Sequence, residues 1–256
     1  MIQVTSRPVQ QEPPPATQLI QMIFGFMPAQ AIATAAKLGI ADLLKNGPRP
    51  VEDLAQATRT HGRSLYRLLR ALASVGVFAE DADGRFRLTE MAEPLRSDVP
   101  ESLRAFSIYF GADFHMRVWG NLLYGVTHGQ PVFQHIHNKG VFEYFEDHPA
   151  HAKIFNDAMT SFSASVSEPI VRAYDFSGIG KIADVGGGHG LLLSAILRKH
   201  PAMKGVLYDA PSVIGGAKNL LDAQGVGARC ELVAGDFFQS APPPEAYIMK
   251  DIIHDW

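Results

Sequence analysis

Apolar residues between position 18 and about position 97 recur at helical spacing, with Ala29, Ile32, Ala33, Ala36 and Ile40 falling three and four apart on one face. Residues 51–57 and 64–75 continue the pattern as a helix, a turn and a second helix. Two short strand-like runs, 77–79 and 85–88, then flank turn residues at 81–84, which predicts a hairpin. A helix-turn-helix followed by a hairpin is a winged-helix arrangement.

From 101 to about 174 the pattern stays helical but becomes rich in aromatic residues and holds most of the histidines, as a linker bundle and lid would. At 181 it changes to short apolar runs alternating with helical segments: strand 181–185, helix 191–199, strand 204–208, helix 212–223, strand 229–234 and strand 246–250. Such alternation predicts an α/β unit, a parallel sheet covered by helices. The chain therefore divides into a polar, disordered lead-in (1–16), a helical winged-helix domain (17–100), a helical linker and lid (101–176) and an α/β domain (177–256). No internal repeat is visible.

Composition narrows the class. A chain of 256 residues holds two domains of ordinary size, and 46% hydrophobic with 19% charged residues is the balance of a soluble globular protein. The longest apolar runs, 22–29 and 191–197, fall short of the ~18 residues that cross a bilayer. The first residues lack the apolar core of a secretory signal, so cytoplasmic residence is expected. A single cysteine, Cys230, excludes an internal disulfide or a Cys-pair zinc site, and its place at a strand start suggests inert core. A net charge of −3 gives no whole-chain attraction to nucleic acid or to an anionic membrane.

The sharpest chemical feature is Asp184-Val185-Gly186-Gly187-Gly188-His189-Gly190, a strand running into a glycine loop that opens a helix. Glycines serve where backbone must turn sharply and leave room for a ligand. A dinucleotide fold wants a glycine at the sixth place of Gly-x-Gly-x-x-Gly, and that place is Leu191. The spacing here is Gly186-x-Gly188-x-Gly190 behind an acid, as in Class I methyltransferases. Asp184 suits the ammonium group of a cofactor such as S-adenosylmethionine, whereas it would repel a pyrophosphate. Asp209 ends the second strand, where a carboxylate accepts from both ribose hydroxyls. Asp236 closes the third, in Gly235-Asp236-Phe237-Phe238, with an acceptor and an aromatic face for adenine.

The fourth strand is followed by Asp251-Ile252-Ile253-His254-Asp255-Trp256. In doubly wound order this strand lies beside the first, and the crevice between them is where ligands bind. His254 then stands next to the methyl donor. A base that removes a hydroxyl proton speeds methyl transfer by ~10²–10⁴-fold, and histidine suits the task with an ordinary pKa of about 6.5.

Lys250–Trp256, Asp184–Gly188, Tyr208–Pro211 and Gly235–Phe238 together resemble the plant caffeate and isoflavone O-methyltransferases, hydroxyindole O-methyltransferase and their bacterial relatives. The resemblance runs from about position 18 to the end. It implies a Rossmann-like Class I methyltransferase domain behind a winged helix that serves homodimerisation, His254 as general base and Asp255 beside the acceptor. It further implies Lys250 and Phe237 lining the adenosine pocket, no metal, and Phe142, Phe155, Met159 and Phe162 facing a small hydroxylated, aromatic or polyketide-like acceptor. The family's sheet has seven strands and four are predicted here, so the sequence is expected to be an incomplete record of a longer protein.

Other features carry less. His128, His135, His137, His148 and His151 lack the spacing and carboxylate partners of a metal site. Arg63, Arg67 and Arg70 share a helix face that a DNA reader would use, but the negative net charge opposes it. The alternatives are a same-fold hydroxylase or decarboxylase, a non-enzymatic winged-helix regulator, and an inactive dimer partner. The acceptor's identity lies beyond the sequence.

Overall fold

The computed structural model describes residues 13–100 and 102–255. The first helices, α1 (Pro15–Phe24) and α2 (Phe26–Leu38), run almost end to end. Pro15 starts α1 where its missing N–H costs nothing. The expected disordered lead-in is therefore corrected at its end, since Pro15 and Ala16 are helical, while residues 1–12 lie outside the described residues. Gly39, left-handed at φ 67°, closes α2 by donating to Ala35 and Ala36.

The winged helix follows: α3 (Ile40–Leu44), β1 (Arg49–Pro50), α4 (Val51–Thr58), α5 (Gly62–Ser74), β2 (Phe78–Glu80) and β3 (Arg85–Leu88). Its antiparallel sheet has the order β1-β3-β2. The pattern did not predict β1, which is two residues long and ends on a proline that cannot donate. Strand β2 starts one residue late because the Val77 N–H donates to Leu72 O at 3.0 Å to close α5. Ile40, Leu44, Leu54, Leu69, Leu72, Phe78 and Phe86 form the sealed core.

Outside that core α1 is apolar and exposed: Leu19, Ile20, Met22, Ile23 and Phe24, with Phe26 and Met27 of α2, lie in solvent. Pro15–Leu38, 24 residues, is long and apolar enough to cross a membrane by length and composition. This corrects the expectation that every apolar stretch falls short. Gln18, Gln21 and Gln30 interrupt the run in sequence, whereas a helix gathers the apolar side chains between them. The second half is a core helix, with Ala35 and Ala36 buried against the winged helix and Ala33 buried against Gly111.

The middle third is helical: α6 (Arg104–Phe110), α7 (Asp113–Gly120), α8 (Leu122–His128), α9 (Val132–His137), α10 (Val141–Asp147) and α11 (Pro149–Ala173). Helix α6 packs on both α2 and α11, and α11 also packs on the α/β unit. Phe114, Tyr144 and Phe145 make a small aromatic core of their own.

The α/β unit comprises β4 (Lys181–Val185), α12 (Leu191–Lys199), β5 (Lys204–Asp209), α13 (Pro211–Ile214), α14 (Ala217–Ala223), β6 (Cys230–Ala234) and β7 (Ala246–Ile248). All four strands are parallel in the order β6-β5-β4-β7, so the fourth lies beside the first as doubly wound order requires. Ile182, Leu193, Ile196, Leu197 and Leu207 fill the layer between sheet and helices. The single helix expected over 212–223 is broken at Gly215–Gly216. Strand β7 is shorter than expected, because its last partner on β4 is Asp184, one residue before β4 gives way to the glycine loop.

Candidate cofactor and acceptor site

At the carboxyl end of β4 the chain turns through three left-handed glycines, Gly186 (φ 66°), Gly188 (φ 60°) and Gly190 (φ 81°). The Gly186 N–H donates to Tyr208 O at 2.8 Å, and the Gly190 N–H to Gly187 O at 3.0 Å. A Cβ on Gly186 would collide with Ile252, and one on Gly187 with Leu207 and Asp184. A Cβ on Gly188 would meet nothing within 4 Å, so the loop is packed on two sides and open at its tip. That is the shape of a cradle.

The acids stand unequally around it. Asp184 is sealed beneath Gly187, only 2% exposed, and burial pushes its carboxyl up to about 7, with Lys250 drawing it down and Asp209 raising it. Asp209 ends β5, and burial raises its pKa against two backbone donors, Gly188 N and Ala210 N, both at 2.7 Å. Strand β6 stops at Ala234, where it was expected to end, and Asp236 heads the turn two residues beyond it, exposed, accepting from Phe238 N at 2.9 Å. The Gly235 N–H donates to Asp209 O at 3.0 Å, the last cross-strand bond between β5 and β6. Phe237 is half-buried and packs on Phe238 with centroids 4.7 Å apart.

Beyond β7, Lys250 lies in a turn and not on the strand. Its ammonium pairs with Asp251 at 2.7 Å and sits 5.2 Å from the centre of the Phe162 ring. Asp251 is left-handed at φ 56°, and Ile252 presses on Gly186, so the segment leading to His254 lies over the glycine loop. His254 is exposed in a short 3-10 turn, Ile253–Asp255. Asp255 belongs to the same turn.

The expected acceptor residues lie along one aromatic layer. Phe162 stacks on Phe106 at 5.5 Å and Phe106 leans on Phe110 at 4.5 Å. Phe155 stacks on Phe145 at 5.0 Å and meets Tyr109 at 5.5 Å, while Phe142, half exposed, touches Phe155 edge-on at 6.4 Å. Met159 is half-buried one turn before Phe162 on α11. Phe162 meets the cofactor side through Lys250.

Four residues escaped the sequence reading. Phe106, Tyr109 and Phe110 are spaced three and four apart on α6, a periodicity that could have marked them. His115 joins them, 4.6 Å from Tyr109, accepting from Trp119 Nε1 at 3.0 Å, with burial holding its pKa below the usual value.

In the helical middle third His148 stacks on Tyr144 at 3.9 Å and His135 on Tyr124 at 3.6 Å, and His151 Nδ1 lies 2.8 Å from the Tyr144 hydroxyl. Among the described residues no group of three histidine, cysteine or acidic side chains is placed to hold a metal. Burial pushes the Cys230 thiol up to about 11, which keeps it protonated and unreactive at neutral pH. Arg63, Arg67 and Arg70 are exposed on α5, opposite buried Leu65, Leu69 and Leu72.

A parallel sheet in this order, with a glycine cradle and an acid at the end of the adjoining strand, defines a Class I, nucleotide-type cofactor-binding protein. Residues 119–256 match the O-methyltransferase domain family and residues 20–98 the O-methyltransferase dimerisation domain family. The chain belongs to the O-methyltransferase family and is an S-adenosylmethionine-dependent methyltransferase. It is 41% identical to a phenazine O-methyltransferase from Lysobacter antibioticus, over 95% of this chain and 71% of that one. It is 33% identical to an 8-amino-8-demethylriboflavin N,N-dimethyltransferase from Streptomyces davaonensis, over 94% and 70%. The structure of human N-acetylserotonin methyltransferase in complex with S-adenosylmethionine superimposes with a TM-score of 0.87 at 25% identity, covering 97% of this chain and 74% of that one. These comparisons lend no support to the hydroxylase, decarboxylase or regulator alternatives.

Proposed function

We propose that the protein transfers a methyl group from S-adenosylmethionine to a hydroxyl of a small aromatic or polyketide-like molecule, with His254 as general base. The observation that carries this reading is the meeting of two layers. The aromatic layer ends at Phe162, whose ring is covered by Lys250, and the segment from Lys250 to His254 lies over the glycine loop through Ile252. An acceptor on the aromatic layer and a donor in the cradle would face one another beneath that segment.

The residues fit the cofactor. The tip at Gly188 is open, Asp209 stands beside it for the ribose, and Asp184 is a buried acid whose raised pKa a bound cation would lower. Gly186, Gly187 and Gly190 shape the loop, and Asp236, Phe237 and Lys250 take the adenosine end. When bound, S-adenosylmethionine supplies an electrophilic methyl on a positively charged sulfur. The chain's part is to orient the acceptor oxygen in line, with Phe142, Phe155, Met159, Phe162 and Asp255 around it, and to take its proton on the His254 imidazole.

Oxygen as the acceptor atom is favoured by the O-methyltransferase relative, although the riboflavin relative methylates nitrogen. A homodimer is supported by the dimerisation-family match and by the exposed apolar face of α1. With residues 17–100 as the pairing unit, 101–176 as the lid and 177–256 as the cofactor unit, the protein would act in the cytoplasm.

The test pairs His254→Ala with a panel of hydroxylated polycyclic aromatics and matched aromatic amines, using a labelled methyl donor. The variant should bind S-adenosylmethionine normally and lose turnover by ~10²-fold or more. The wild type should place label on oxygen. Unchanged turnover would remove the base, and label found on nitrogen alone would overturn the hydroxyl reading.

A further inference from the structure

His189 is the one residue between Gly186 and Gly190 with a side chain. It is flanked by two left-handed glycines, Gly188 at the open tip and Gly190 packed on Leu207 and Leu221, so the backbone has room to shift on the Gly188 side. Its Nδ1 lies 3.1 Å from the hydroxyl of Thr160 on α11. Its Nε2 edge faces Gly216, where a Cβ would come within 2.9 Å of the nitrogen. The ring is thus held between the break separating α13 from α14 and the helix that carries Met159 and Phe162.

We propose that His189 and Thr160 form a latch that couples occupancy of the glycine loop to the placement of α11, so that His189 positions the acceptor layer through Thr160. The inference rests on the glycine loop being the cofactor cradle. Residues 159–162 of α11 touch the α/β unit at two points. One is Thr160 against His189 at the exit of β4, and the other is Phe162 under Lys250 at the exit of β7. Next to the first point, the Gly188 N–H is held by Asp209 at 2.7 Å. A ligand that takes up the Asp209 carboxylate releases that N–H and shifts the backbone carrying the imidazole. The hydroxyl of Thr160 passes the shift to α11, and with it the wall against which the acceptor rests.

The latch predicts that a ligand in the cradle quiets α11 and that the quieting needs both side chains. The experiment measures hydrogen exchange across α11 with and without S-adenosylhomocysteine, alongside calorimetry of its binding. In the wild type, the ligand should slow exchange over residues 156–165 by about tenfold. His189→Ala and Thr160→Val should bind the ligand within about threefold of wild type yet lose most of that protection, while Thr160→Ser, which keeps the hydroxyl, should retain it. In turnover, the two disabling variants should raise the acceptor KM and leave the donor KM in place. Full protection in Thr160→Val would overturn the latch. Loss of ligand affinity by about thirtyfold or more in His189→Ala alone would also overturn it, by making His189 part of the cradle. Failure of the wild type to bind S-adenosylhomocysteine would instead overturn the cofactor assignment of the loop, and the latch with it.

Discussion

The two faces that meet at α11 are built from different materials. Beneath the glycine loop the sheet and α12 are sealed by aliphatic side chains, with Leu193, Ile196, Leu197 and Leu207 fully buried and Gly187 and Gly190 seated on Leu207. Across α11 the helical layer depends on a small cluster, Phe114, Tyr144 and Phe145, surrounded by half-buried rings and histidines. Close-packed aliphatics hold the base of the loop to one shape and leave its tip at Gly188 open, which suits a cradle for an invariant cofactor. Flat rings in a thin layer can slide and re-stack, which suits an acceptor whose outline differs from one enzyme to another. The relatives reflect this difference, since a phenazine and a riboflavin derivative are named as substrates of proteins that share the same scaffold.

Breaking each layer should therefore give different symptoms. Leu193→Ala should cost about 2–5 kcal/mol of global stability and weaken cofactor binding, because it opens the core under the loop. Phe145→Ala should also cost stability, about 3–5 kcal/mol, but it should change the acceptor KM with the cofactor Kd intact. Urea titrations and calorimetry check both. A cofactor defect in a folded Phe145→Ala variant would erase the contrast.

A second effect belongs to the cradle alone. The Asp184 carboxyl sits at about 7 when folded against an ordinary 3.8, so between those pH values the folded protein holds a proton that the unfolded chain has lost. Stability of the ligand-free protein should fall as pH rises from about 4 to about 7, and the deficit should persist above. Asp184→Asn should raise Tm above pH 7, by on the order of 2 kcal/mol in stability, and flatten that pH dependence. The wild type's affinity for the cationic S-adenosylmethionine should strengthen as pH rises through 7. A Tm gain in Asp184→Asn that is the same at pH 4 and pH 8 would contradict the burial argument.

The smallest expected effect lies at the seam. Phe162→Leu removes a ring from under the Lys250 ammonium, a contact of about 0.5–1 kcal/mol, and should raise the acceptor KM a few fold while moving the cofactor Kd by less than about twofold. Steady-state kinetics over both substrates separates the two.

What the sequence revealed follows the same division. The βαβ alternation and the Gly186-x-Gly188-x-Gly190 spacing are local signals, and the sheet order and left-handed loop match them. Where a local pattern met a tertiary demand, boundaries moved: Gly215–Gly216 broke a helix beside the His189 ring, and Val77 was drawn into the end of α5. The end of β6 at Ala234 was legible, with Asp236 in the turn just past it. The latch of His189 to Thr160 joins residues 29 apart in sequence and was not legible, because neither side chain belongs to a periodic pattern. Phe106 and Tyr109 were legible as a helix face, but not as neighbours of Phe162 and Phe155.

The central claim is that the loop and the acid at the end of β5 form the cofactor cradle. Asp209→Asn tests it most directly, because the amide oxygen can still accept from Gly188 and keep the loop folded while the charge and second acceptor for the ribose are lost. Calorimetric titration with S-adenosylhomocysteine should show affinity weakened by about thirtyfold or more, with Tm of the ligand-free protein little changed. Wild-type affinity in a folded Asp209→Asn variant would contradict the account.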